Sequence, residues 1–198
     1  MKKICVVSSS RADYGLLRHL MREIEASDKL NLKFVVSGSH LSQLDGMTIE
    51  EIETDGFKID AKVGIFEREK NDKSEISKRI SNGIEKFGNI YEALKPDFVL
   101  LLGDRYEIFS AAISATIAQL PIIHLHGGEV TKGAFDDSFR HSISKMAHIH
   151  FAAADNYRKR LIQLGESPEN VFCTGGLGVD AIKKVNILSK KRLSETLN

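Results

Sequence analysis

The sequence predicts an α/β domain built on a doubly wound, mostly parallel sheet. Three observations carry that expectation. Short β-branched runs alternate with stretches of helical periodicity along the whole chain, the pattern of successive strand–crossover–strand units. Phe98–Leu102 is an unbroken apolar run, as a parallel strand covered on both faces requires. Polar, glycine-containing clusters follow directly after several of the runs, where doubly wound sheets carry their ligands.

The elements follow in order. Ile4–Val7 is the first strand, and Leu16, Leu17, Leu20, Met21 and Ile24 recur at helical spacing within a helix from about Tyr14 to Ala26. Leu32–Val36 is the second strand. Thr48 and Glu51 have the spacing of a capping box opening a short helix to about Thr54. Ile59–Val63 is a further short strand. From Lys73 to Leu94, residues Ile76, Ile80, Ile84, Phe87, Tyr91 and Leu94 line one helical face until Pro96 stops it. After Phe98–Leu102 come an alanine-rich helix over Ile108–Ala118 and the strand Pro121–Leu125. A helix to about Met146 is expected to be capped by Asp136 or Asp137. Ile149–Ala153, a helix over Tyr157–Leu164 and Val171–Thr174 complete the series. The domain is expected to span residues 1–180, with the basic, polar stretch 181–198 a linker or helix toward a second domain.

The bulk numbers bound the function. The chain has 198 residues, 42% hydrophobic and 28% charged, an ordinary globular composition with material for a buried core. A net charge of +1 provides no global field for nucleic acid or an anionic membrane, so anion binding must come from a local site. Cys5 and Cys173 both sit in apolar runs and read as buried thiols of a reducing compartment. The first apolar run is too short for a signal peptide and no run approaches a membrane span, which makes the cytoplasm the expected location.

Chemistry is expected in the clusters after the strands. In Gly103-Asp104-Arg105-Tyr106-Glu107, a carboxylate and a guanidinium stand side by side at a strand end, suited to proton transfer and anion binding. In His124-Leu125-His126-Gly127-Gly128-Glu129, strand alternation puts the two histidines on the same side. His126, Glu129, Asp136 and Asp137 are also metal-ligand types, but no HExxH-like spacing organises them, and no metal is expected. Arg140 and Ser144 are i, i+4 neighbours near a helix start and share a face that can meet phosphate. Ser8–Gly15 is a small-residue turn between strand and helix, lacking the spacing of a dinucleotide or P-loop fingerprint.

Taken in sequence, Arg-Ala-Asp-Tyr at 11–14, Ser-Gly-Ser-His-Leu-Ser at 37–42, Gly-Asp-Arg-Tyr-Glu at 103–107, His-Gly-Gly-Glu at 126–129 and Asp-Asp-Ser-Phe-Arg-His-Ser-Ile-Ser-Lys at 136–145 resemble the hydrolysing UDP-N-acetylglucosamine 2-epimerases of bacterial sialic and legionaminic acid synthesis. The resemblance implies one Rossmann-like half of a GT-B fold, with a UDP-N-acetylhexosamine as substrate and a homo-oligomer as the full-length form. No metal or redox cofactor is implied. It also implies loss of UDP from C1 with removal of the C2 proton, a glycal intermediate, and water addition at C1. Asp104 then matches the family aspartate of the Gly-Asp-Arg motif, Arg105 and Arg11 its nucleotide- and substrate-contacting arginines, and Asp136 its second acidic position. Some relatives carry glutamate where this chain has His126, so His126 and Glu129 are both candidates for that role. Two other readings accompany this one: a non-hydrolysing epimerase that returns the UDP-sugar, and a non-catalytic nucleotide-sugar-binding module.

Overall fold

The computed structural model describes residues 1–42, 47–65, 73–184 and 189–197. Seven strands, β1 (Lys2–Ser8), β2 (Leu30–Ser37), β3 (Ala61–Val63), β4 (Phe98–Leu102), β5 (Ile122–Leu125), β6 (Ile149–Ala152) and β7 (Val171–Cys173), form one sheet in the order β3-β2-β1-β4-β5-β6-β7. Every adjacent pair is parallel. The helices are α1 (Arg11–Ala26), α2 (Ile49–Thr54), α3 (Lys73–Leu94), α4 (Tyr106–Ile117), α5 (Asp136–Met146), α6 (Asp155–Gln163), α7 (Leu177–Lys184) and α8 (Lys190–Leu197).

Strand alternation divides the core between the two faces of the sheet. Cys5, Val7, Val99, Leu101 and Ile122 pack with Phe87 and Tyr91 of α3, Ala111, Ala112 and Ala115 of α4, and Ile143 of α5. Val6, Phe34, Leu100, Leu102 and Leu125 pack on the opposite face with Tyr14, Leu17 and Met21 of α1 and Ile49 and Ile52 of α2. The three alanines of α4 are fully buried and let that helix lie close to the sheet.

Several boundaries differ from the sequence reading. Helix α1 starts three residues before Tyr14, because its first turn is polar and set by Ser10, whose hydroxyl accepts the Asp13 amide at 3.3 Å. Thr48 stands at the N-cap of α2 but makes no capping bond; its hydroxyl is 2.7 Å from His40 Nδ1, and Glu51 pairs instead with Arg11. Neither Asp136 nor Asp137 caps α5. The N-cap is Phe135, and the Asp137 carboxylate turns back to accept the Thr131 amide at 2.8 Å. Residue 180 lies inside the continuous helix α7. Cys5 is buried as expected, but Cys173 is exposed, because β7 is the last strand of the sheet and has only one neighbour. Among the described residues no helix is long and apolar enough to cross a membrane.

Candidate functional site

The order of the sheet creates one natural crevice. β1 and β4 are neighbours, yet α1 packs on one face and α4 on the other. The chain therefore leaves the two adjacent carboxyl ends in opposite directions, the switch point where open α/β sheets bind ligands. The clusters singled out in the sequence gather around this end of the sheet.

Asp104 follows β4 and meets Arg140 of α5 in an ion pair. The Arg140 side chain is only 8% exposed. Its Nη1 also lies 3.7 Å from the Glu129 carboxylate and donates to the His126 carbonyl at 3.3 Å. Its Nη2 donates to the Thr131 hydroxyl at 3.1 Å. Glu129 in turn holds His126 through Nδ1 at 2.9 Å. Asp104, Arg140, Glu129 and His126, distant in sequence, thus form one connected polar group, which Thr131 joins. Thr131 was missed in the sequence; its one signal is its place two residues after Glu129 in the same loop.

The two carboxyls beside Arg140 are pushed apart. Burial raises the proton affinity of Asp104, Arg140 lowers it, Asp136 raises it again, and the net direction is upward. Glu129 moves down, chiefly through the bond from His126, with Arg140 adding to the effect against burial. Opposite shifts in two carboxyls that share one cation are a feature of acid/base sites and of structural ion-pair networks alike.

His124 and His126 do not share a side. His124 is fully buried on the α5 face, with Ser144 as a neighbour. His126 adopts φ +61°, which breaks the strand alternation and turns its ring to the opposite face. There its Nε2 accepts the Leu177 amide at 3.4 Å, and its ring lines a cavity of about 280 Å³ with Leu20, Leu100 and Phe151. Gly128 completes the turn at φ +76°, where an added Cβ would come within 2.4 Å of the Tyr157 carbonyl oxygen, so no side chain fits there.

The remaining expected site residues are placed as follows. Arg105 is bound by Glu107 through Nε at 3.2 Å and Nη2 at 2.9 Å, and the Glu107 side chain is fully buried. The sequence motif contained Glu107 but did not reveal this clamp, which aims a guanidinium still 41% exposed. Arg11 stands exposed at the start of α1, paired with Glu51 at 3.2 Å. Asp136 is half-buried in the first turn of α5 and reaches Asp104 through its charge. Ser144 is fully buried, its hydroxyl 3.1 Å from His124 Nδ1 and 3.0 Å from the Arg140 carbonyl, so it faces the protein interior rather than the open end of the sheet. In the β1–α1 turn, the Ser9 amide and hydroxyl both donate to Asp13, so that amide is already occupied.

The family model "UDP-N-acetylglucosamine 2-epimerase" matches residues 22–198. The chain is 46% identical over 196 residues to a GDP/UDP-N,N'-diacetylbacillosamine 2-epimerase (hydrolyzing) of Campylobacter jejuni, covering 99% of this chain and 50% of that one. It is 40% identical over 182 residues to a UDP-N,N'-diacetylbacillosamine 2-epimerase (hydrolyzing) of Legionella pneumophila, covering 92% and 48%. The fold is similar to that of UDP-GlcNAc 2-epimerase from Neisseria meningitidis, a structure bound to UDP-GlcNAc, with a TM-score of 0.82 at 21% identity over 100% of this chain and 54% of that one. The chain spans about half the length of the curated relatives it matches.

Proposed function

The chain belongs to the UDP-N-acetylglucosamine 2-epimerase family, and from that premise we propose that it supplies the acid/base half of a hydrolysing 2-epimerase acting on a UDP-linked acetamido sugar. The observation that carries this reading is the Asp104–Arg140–Glu129–His126 group at the carboxyl ends of β4 and β5, next to the β1/β4 switch point, with its two carboxyls shifted in opposite directions. Asp104 is the group whose proton affinity is brought toward the working range, so it takes the C2 proton. The electron pair of that C–H bond forms the C1–C2 double bond as the C1–O bond to UDP breaks. Water then adds its oxygen to C1 while its proton, relayed by His126, reaches C2 from the other face; Asp104 gives up the proton it took to solvent, leaving UDP and a free sugar of inverted C2 configuration. Glu129, held ionised, orients His126 for the second transfer, and Asp136 tunes Asp104 through its charge. Arg105, aimed by Glu107, and Arg11 at the rim meet the diphosphate, where planar guanidinium groups make paired, charge-assisted bonds. The names of the two bacterial relatives support a 2,4-diacetamido sugar as the preferred hexose.

The test incubates the complete protein with UDP-N-acetylglucosamine and with its diacetamido analogue. UDP and a free 2-epimerised sugar are expected, faster from the analogue. A UDP-linked epimer as the product would transfer the protein to the non-hydrolysing class, and nucleotide-sugar binding without turnover of either substrate would make it a binding module. A second expected result concerns the anion site. Arg105→Met should weaken UDP binding by about tenfold, the order of one charge-assisted hydrogen bond, measured by calorimetry; unchanged affinity would remove Arg105 from the site.

A further inference from the structure

His124 lies outside the polar group just described, in the sheet itself. Its Cα partner in β4 is Leu101, and its side chain is fully buried. The ring nevertheless makes two directed contacts. Nε2 is 2.8 Å from the carbonyl oxygen of Gly103, and Nδ1 is 3.1 Å from the Ser144 hydroxyl. A carbonyl can only accept, so Nε2 carries the proton and Nδ1 is the acceptor of a neutral ring. Burial holds the imidazole neutral, its pKa lowered to about 3.

Each contact reaches one partner of the Asp104–Arg140 ion pair. The Gly103 carbonyl belongs to the peptide unit that ends at the Asp104 nitrogen, and Gly103 sits at φ +78°, with its own amide donating to the Leu125 carbonyl at 3.2 Å. Ser144 is one helical turn beyond Arg140, and its single hydroxyl hydrogen is shared between His124 Nδ1 and the Arg140 carbonyl 3.0 Å away. The ring thus spans from the end of β4 to α5, and the two side chains it indirectly carries meet in the ion pair. Gly127 leaves it room: a Cβ there would come within 3.0 Å of both His124 Nδ1 and the Ser144 hydroxyl.

We propose that His124 and Ser144 are positioning residues that set Asp104 against Arg140 by bracing the Gly103 carbonyl to α5. The value of this for proton transfer rests on the function proposed above; the geometry itself does not. An apolar replacement of the same bulk, His124→Leu, breaks both contacts and frees the Gly103–Asp104 peptide to turn. Displacing a reacting group by about 1 Å can cost on the order of 10²-fold. His124→Leu is therefore expected to lower kcat for UDP release by about 10–100-fold with KM little changed, and Ser144→Ala to lower it less. His124→Gln, whose amide nitrogen can donate to the Gly103 carbonyl, should recover part of the loss.

A second readout separates positioning from a general loss of structure and from a wrong functional reading. The charged groups acting on Asp104 include Arg140, Asp136 and Asp13. If Arg140 slips out of register, Asp104 loses its cation while both acids remain, and its titration midpoint must rise. Carbon-detected NMR of the Asp104 carboxyl in the protein and in the variants follows this directly. A raised midpoint in His124→Leu or Ser144→Ala, partly restored in His124→Gln, supports the proposal even if the wild-type protein releases no UDP, an outcome that would sink the functional reading alone. Should His124→Leu fail to fold, Ser144→Ala decides the matter. An unmoved Asp104 midpoint in the folded variants overturns the proposal, whatever their activity.

Discussion

Asp104→Asn is expected to leave a folded protein whose UDP release has fallen by roughly 10²–10⁴-fold, the range general acid–base groups contribute. The amide keeps the volume of the carboxyl and can still accept a hydrogen bond from Arg140, so the end of β4 need not rearrange. It cannot exchange a proton with the sugar C2. The effect is sharpened by where Asp104 sits: burial and the charge of Asp136 raise its proton affinity against the pull of Arg140. Because that pKa is raised, the base form accumulates only above the ordinary aspartate range, and the acidic limb of kcat/KM in the wild-type protein should lie correspondingly high. Steady-state UDP release across pH, with thermal unfolding as the check on folding, measures both. A folded Asn variant with near-normal turnover would remove Asp104 from the chemistry.

Arg140→Met carries the largest expected cost in stability. The guanidinium is nearly buried and serves Asp104, Glu129, the His126 carbonyl and the Thr131 hydroxyl at once. Met fills much of the same space but leaves Asp104 and Glu129 without the cation they share. Breaking a buried pair from one side costs about 3–5 kcal/mol. Its pH dependence gives the prediction a sign. Without the cation the folded-state pKa of Asp104 rises further, so the variant can relieve itself by taking up a proton. A group whose pKa is raised on folding contributes most below its unfolded pKa and loses that contribution as pH rises through the folded value. The deficit of Arg140→Met should therefore shrink in acid and grow toward neutral pH, read from urea unfolding midpoints at constant m-value. A deficit independent of pH would mean that lost packing, not the stranded carboxylates, explains the cost.

The alternation of strands and helices, and with it the fold class, was readable from sequence because its signals are local. α3 and β4 fall on their expected bounds, where one apolar stripe ends at Pro96 and one unbroken apolar run follows. The errors arise where a long-range partner decides. Thr48 has the spacing of a capping residue, but His40, brought near by the β2 turn, takes its hydroxyl. His126 obeys strand alternation in sequence, but the chain has already left β5 for a left-handed turn. Ser144 shares a helical face with Arg140, and that face points at His124 rather than at solvent. Asp104, Glu129, His126 and Arg140 were each legible as polar residues near strand or helix ends. Their contact was not, because the pairing of β4 with β5 and the docking of α5 bring them together, and periodicity carries no such distances.

The last-strand position of β7 has a practical consequence. The chain contains two cysteines. Cys5 is buried in the sheet, where burial pushes its thiol up to about 12, so almost none of it is thiolate at neutral pH. Cys173 is exposed on the strand with only one neighbour. A maleimide dye should therefore attach once per native chain, at Cys173, and a second time only after denaturation, which intact-mass spectrometry would count directly. That thiol is a ready anchor for a fluorophore two residues before Gly175, beside the cavity that His126 lines. On the proposed function, adding nucleotide sugar to the labelled complete protein should change its emission, without altering Asp104, Arg140, Glu129 or His126.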